Sequence, residues 1–148
     1  MKLCVSFLCS LLLLVSVAFA ETPPENWQVA YKDNISAFYF DTDSVRTVGS
    51  SDVLIAELKT EMSPDMVQVL IEKCREQYDT SSWGNIKYMI SSTKCNLKEK
   101  TLASKNHRLY DAKGNLMSII PDEDVSSVPD GSVKNKVYAA ISQWLYEN

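Results

Sequence analysis

The stretch Asn85-Ile-Lys-Tyr-Met-Ile-Ser-Ser-Thr-Lys-Cys-Asn-Leu97, continued by Leu102–Tyr110, Asp111-Ala-Lys-Gly-Asn115 and Leu116-Met117, decides the fold. Ile86, Tyr88 and Ile90 alternate with more polar residues, and Cys95 lies near the end of the same run, so this is a strand. Lys98–Lys100 is a charged turn. Thr101–Tyr110 reads as a second strand whose frequent polar residues predict a largely wet face, with His107 on its surface. Asp111–Asn115 is a hairpin loop in which Gly114 supplies the positive φ that such a loop needs. Leu116–Ile120 is the third strand. Three antiparallel strands in succession form a sheet that the rest of the chain covers.

Outward from this unit, the preceding sequence adds strands and a helix. Trp27–Tyr31 alternates Trp27, Val29 and Tyr31 against Asn26, Gln28 and Ala30. Asp33-Asn34 is a turn, Ile35–Phe40 an aromatic-rich strand, and Val53–Lys59 a further strand with Leu54, Ala56 and Leu58 on one face. Ser63-Pro64-Asp65 is a helix start: Ser caps, Pro fits the first position, and Asp favours the positive end of the dipole. Met66, Val67, Leu70, Ile71, Cys74 and Tyr78 recur at three- and four-residue steps, which predicts an amphipathic helix over Pro64–Tyr78. On the other side of the hairpin, Pro121–Asp124 is an acidic loop. Pro129-Asp-Gly-Ser132 then starts a second helix lined by Val133, Val137, Ile141, Trp144 and Leu145. The expected class is α+β, a curved antiparallel sheet of about six strands with two helices packed against it.

The first twenty residues are a targeting segment. Lys2 gives the positive start, Leu3–Val17 is apolar and uncharged, and Ala18-Phe19-Ala20 is a cleavage box, so processing before Glu21 is expected. The apolar run is short for a membrane span. Residues 21–148 then form one domain, long enough to bury a core without metal or multiple disulfides. No membrane insertion is expected after cleavage. Lys2 is the one charged residue lost, so 14 of the 15 basic side chains remain against 19 acidic ones, a net of −5. Such a chain has no general attraction for nucleic acid. Of four cysteines, Cys74 and Cys95 remain in the mature chain; an exported protein with two cysteines suggests one disulfide, the alternative being two buried thiols.

Catalytic motifs are sparse. His107 is the sole histidine, too isolated to build a triad or supply zinc ligation. The four glycines, at 49, 84, 114 and 131, form no phosphate-cradling loop. Asp41-Thr-Asp43 lacks the Gly and Glu that a calcium loop requires, since Arg46 and Asp52 hold those positions. No metal or cofactor is expected. Among many aromatic residues, Trp83 sits in a loop and is the candidate exposed binding contact. Two functional readings follow: a non-catalytic binding module for a protein or envelope component, or an enzyme or accessory domain acting on envelope polymers. The second predicts a deep polar cleft with perturbed carboxylates.

The order Phe38-Tyr-Phe-Asp41, Ser44-Val45, Cys95 on a strand, Leu109-Tyr-Asp-Ala-Lys-Gly-Asn-Leu116 and Pro129-Asp-Gly-Ser-Val133 with Val137-Tyr-Ala-Ala-Ile141 resembles the bacterial surface-adhesin protein E family. The resemblance covers nearly the whole mature domain. It implies an exported Gram-negative domain, periplasmic or secreted, with a curved antiparallel sheet of about six strands. The name-giving member binds matrix and plasma proteins of its host, so the resemblance implies a non-enzymatic, adhesin-like function. Two departures stand out. The lipid anchor of the name-giving member has no counterpart here. Many members also end the last helix in a cysteine that pairs with the strand cysteine, whereas Ile141 is followed by Ser-Gln-Trp-Leu-Tyr-Glu-Asn148. The resemblance thus implies that Cys74 takes over as partner of Cys95, pinning the first helix to the sheet and adding about 3 kcal/mol.

Overall fold

The computed structural model describes residues 26–148. The expected leader, its cleavage site and the Pro23-Pro24 lead-in lie outside the described residues. Eight strands form one antiparallel sheet. They are β1 (Trp27–Lys32), β2 (Ala37–Asp41), β3 (Arg46–Val48), β4 (Ser50–Glu61), β5 (Ile86–Asn96), β6 (Thr101–Asp111), β7 (Leu116–Ile120) and β8 (Asp124–Ser127). The main order is β1-β2-β4-β5-β6-β7; β3 pairs with β4 and β8 with β6. The sheet stays open, as β1 and β7 do not pair. Helix α1 (Pro64–Cys74) links β4 to β5, and α2 (Val133–Glu147) follows β8. The α+β class is as expected; β3 and β8 are additional, and β8 forms where the sequence reads as acidic loop and spacer.

Pairing register assigns the faces. Leu54 opposes Cys95, Ala56 opposes Thr93, Leu58 opposes Ser91 and Thr60 opposes Met89. Further across, Cys95 opposes Leu102 and Met89 opposes Leu109. With Phe38 and Phe40 of β2 opposite Thr60 and Leu58, these residues line the inner face. Both helices lie on it. Val137 and Ile141 of α2 are buried with Phe40, Leu54, Leu58, Cys95 and Leu102, and Trp144 meets Phe40 edge-on at 6.1 Å between centroids. Val67 and Cys74 of α1 are buried with Trp83, Ile86, Leu109 and Ile120. The two predicted stripes therefore do face the sheet, each over its own end. Between the two apolar clusters the inner face carries the buried hydroxyls of Thr60, Ser91 and Thr93. Among the described residues, no helix is long and apolar enough to cross a membrane.

Caps set the helix starts as the sequence predicts. Ser63 Oγ accepts from the N–H of Met66 at 3.3 Å, and Ser132 Oγ from that of Asn135 at 3.1 Å. The first helix stops at Cys74, short of Tyr78, where Gln77 and Tyr78 both donate their N–H to the Cys74 carbonyl at 3.0 Å.

Three expectations are corrected. Cys74 and Cys95 are free thiols, each buried in a different cluster. Cys95 lies under α2 with Phe40 and Leu54, whereas Cys74 lies in the α1 cluster with Trp83 and Ile120, and no disulfide joins them. Trp83 is not an exposed contact: it is 1% exposed and lies 6.0 Å from the Tyr78 ring within the α1 cluster. Its loop folds back through hydrogen bonds from Trp83 N–H to the Thr80 carbonyl at 3.0 Å and from Asn85 N–H to that of Ser82 at 3.2 Å. Last, His107 turns inward, not to water. The register shifts between the Ile90–Arg108 and Ser92–Lys105 pairs, where Asn106 adopts φ 52°. The extra residue reverses the alternation of β6, so Leu102 and Ser104 point inward before it and His107 and Leu109 after it.

Candidate binding face

Among the described residues, no helix lies on the second face of the sheet. Its residues follow from the same register. Tyr39 opposes Lys59, Lys59 opposes Ile90, and Ile90 opposes Arg108, which opposes Ile119. One step along, Glu61 opposes Tyr88, Tyr88 opposes Tyr110, and Tyr110 opposes Leu116. Val29, Leu116 and Ile119 are about half exposed, at 51%, 51% and 48%. Among the described residues, no element packs over the large apolar side chains at these positions.

Aromatic side chains and one lysine form a packed row across this face. The Lys59 ammonium lies over three rings, 4.6 Å from the centroid of Tyr88, 5.7 Å from Tyr39 and 6.0 Å from Trp27. Tyr88 and Tyr110 stack at 4.9 Å with an interplanar angle of 11°. Ring quadrupoles attract the ammonium, so the row is held by cation–π contact as well as by burial. The rings use their faces on one another and on Lys59. Tyr39 adds a hydrogen bond from its hydroxyl to Glu61 at 2.9 Å; burial, then that hydrogen bond, raises its pKa above 10.0.

Beside the row, Arg108 pairs with Glu57 across β5, and Ser92 Oγ donates to the same carboxylate at 2.8 Å. The two charged side chains are about a third exposed, 34% and 31%. Ser44 Oγ accepts the Glu57 N–H at 2.8 Å and donates to the Asp41 carbonyl at 2.6 Å, tying the Thr42–Ser44 turn to the sheet margin. This margin is therefore fixed in the free protein.

The inner face holds the one histidine. His107 Nδ1 lies 2.7 Å from Ser91 Oγ, and burial of the ring lowers its pKa below 6.5. Nearby Asp124 and Asp122 act in the opposite sense, and Lys73 adds to the lowering. Ser91 is only 4% exposed, and His107 is half-buried. Among the described residues, no three His, Cys, Asp or Glu side chains converge to hold a metal.

Sequence reasoning identifies the aromatic content but not this face. Tyr88 and Tyr110 fall on strands recognised from periodicity, yet which aromatics are core and which line the bare side depends on the bulges between Ile86 and Tyr88 and within β6. No local signal in the sequence marks those bulges apart from Asn106, a residue type that tolerates positive φ.

An open antiparallel sheet with both helices on one side and an aromatic, charged opposite side defines a two-layer α+β domain of the kind that presents a sheet surface. The structure is similar to solved structures of protein E from Haemophilus influenzae. One, a selenomethionine form, has a TM-score of 0.53 at 14% identity, covering 86% of this chain and 90% of that one. A second crystal form has a TM-score of 0.52 at 9% identity, covering 85% and 91%. At these identities the likeness is one of fold, and at the level of fold the chain is protein E-like. No family model matches the sequence, and none of the curated proteins matches it.

Proposed function

We propose that this chain is an exported, non-catalytic binding module that recognises a protein or another envelope component through the bare face of its sheet. The observation that carries the reading is the asymmetry of the layers: both apolar helix stripes are used on the inner side, while Val29, Leu116 and Ile119 remain half exposed on the other. A fixed row of aromatic residues and an anchored ion pair give that face the mixed composition of protein recognition surfaces. The protein E-like fold and the family resemblance of the sequence motifs support an adhesin-like role. The leader at residues 1–20 would deliver the domain to the periplasm or beyond, with mature sequence starting at Glu21.

The enzyme reading draws less support. A general acid or base needs a carboxyl pKa raised toward neutrality. Asp33, Asp79 and Asp111 are all lowered, each by hydrogen bonds from nearby turn residues. Such carboxylates stabilise turns and stay ionised.

The test is capture from the native envelope with the mature domain as bait, run beside a Val29→Lys/Ile119→Lys variant. The reading expects a saturable component retained by the parent and lost with the variant, while the two proteins melt alike. Equal retention by both would contradict it.

A further inference from the structure

The bare face also holds a groove of about 450 Å³, within the size range of ligand sites. Its floor is made where short side chains meet on the middle strands. Arg46 opposes Ile55, Ile55 opposes Lys94, Lys94 opposes Ala103, and Ala103 opposes Val125. Ser92 and Lys105 form the next rung. Ala103 and Ser92 are small, so the sheet is open above them, with Ile55 as apolar floor and the long side chains of Arg46, Lys94 and Lys105 around it. Val125, 59% exposed, continues the apolar strip past Ala103.

The charges are uneven. Arg46, Lys94 and Lys105 have no ion-pair partner among the described residues. Glu57, the acidic group at the groove wall, is already matched by Arg108 and Ser92. Glu123 at the rim is the other carboxylate in the lining. On a chain of net charge −4, this is a local excess of unmatched cations. Charge complementarity therefore calls for an anion.

We infer that this groove binds a short acidic peptide segment of a protein partner, its carboxylates held by Arg46, Lys94 and Lys105 and its apolar side chains set on Ile55, Ala103 and Val125. The inference rests on the reading of the bare face as the recognition surface. Cations alternate with apolar residues from strand to strand, which suits an extended peptide whose groove-facing side, made of every second residue, carries acidic and apolar side chains in turn. An anionic sugar would need ring faces to stack on, and the lining of the groove holds no aromatic side chain.

The experiment is a titration of the isotope-labelled protein, followed through backbone amide resonances, with an acetylated peptide of repeating Asp-Ser-Leu-Ser, which sets Asp and Leu in turn on one side of an extended chain. A Lys-Ser-Leu-Ser peptide of equal length and an oligogalacturonate of equal charge serve as comparisons. Expected are shifts of Ile55, Lys94 and Ala103 with the acidic peptide alone. Affinity should fall about tenfold or more in an Arg46→Ser/Lys94→Gln/Lys105→Gln variant, from three exposed charge contacts. It should also weaken with added salt on the unmodified protein, a reading independent of how the variant folds. A Lys98→Gln/Lys113→Gln variant, altered in exposed turns, should bind as the parent does. Absence of groove shifts, unchanged affinity in the triple variant, or binding of the oligogalacturonate in place of the peptide would overturn the inference. Should envelope capture depend on Val29 and Ile119 while the peptide fails, the groove assignment falls and the binding-module reading stands.

Discussion

Asn106 takes φ 52°, and that single residue decides which side of β6 meets water. Counting alternation through Thr101–Tyr110 without it places His107 outside; with it, the imidazole turns inward, half-buried beside Ser91. A neutral histidine held this way gives a pH signature. Its native pKa is below the ordinary value of 6.5, chiefly through burial. The unfolded chain then binds the proton more readily, so stability falls as pH drops from about 6.5 through the lowered native value, and is fully present above 6.5. The urea midpoint should therefore decline between neutral pH and that window in the parent. The decline should flatten in His107→Gln; an identical decline in both would locate the titration elsewhere. At Gly114, φ is 82° in the loop whose Asp111 carboxylate accepts from Lys113 N–H at 2.8 Å and Asn115 N–H at 2.9 Å. Gly114→Ala meets only an ordinary 3.5 Å contact with the Tyr88 hydroxyl, so its expected destabilisation of about 1 kcal/mol comes from the backbone. Thermal unfolding measures it. This position was legible in the sequence because the hairpin chemistry is local; that of His107 was not, because a bulge is settled by the partner strand.

Helices were the most legible elements, and the reason is visible in their ends and stripes. Ser63 and Ser132 cap as their sequences predict, and replacing either with Ala should lower stability by about 1 kcal/mol in urea unfolding. Ile141, 1% exposed in the α2 cluster, should cost about 2–5 kcal/mol as Ile141→Ala, far more than Val69→Ala on the exposed side of α1. Similar losses for the two would mean that α2 does not dock as described. Strand ends were less legible. β4 runs Ser50–Glu61, beyond the apolar alternation of Val53–Lys59, because pairing with β3 and β5 recruits polar residues at both ends. β8 is illegible for the same reason: Asp124–Ser127 has one apolar residue, and its strand character comes from pairing with Thr101–Ser104.

At the scale of the whole molecule, the α+β class followed from periodicity, but the division of the inner face into two apolar ends did not. That division is what keeps the two thiols apart. Cys95 is deeply buried, its pKa pushed up to about 12 by desolvation, and Cys74 is buried under the other helix. Composition and the expected export argue for a bridge; only the three-dimensional placement of the two thiols in separate clusters argues against one. Denaturation in the presence of an alkylating agent, without reductant, should label both cysteines of the mature chain, and added reductant should leave the melting temperature unchanged. Trp83 illustrates the same limit, since a loop position says nothing of where an indole points once short turns fold it under a helix.

The claim that recognition uses the bare sheet face is tested most directly by a lysine-acylation footprint of the domain bound to its captured envelope component. Lys94 and Lys105 lie on that face, whereas Lys73 lies on α1 and Lys134 and Lys136 on α2. Binding should protect Lys94 and Lys105 and leave the helix lysines reacting as in the free protein. Protection of the helix lysines with unchanged reactivity at Lys94 and Lys105 would contradict the account.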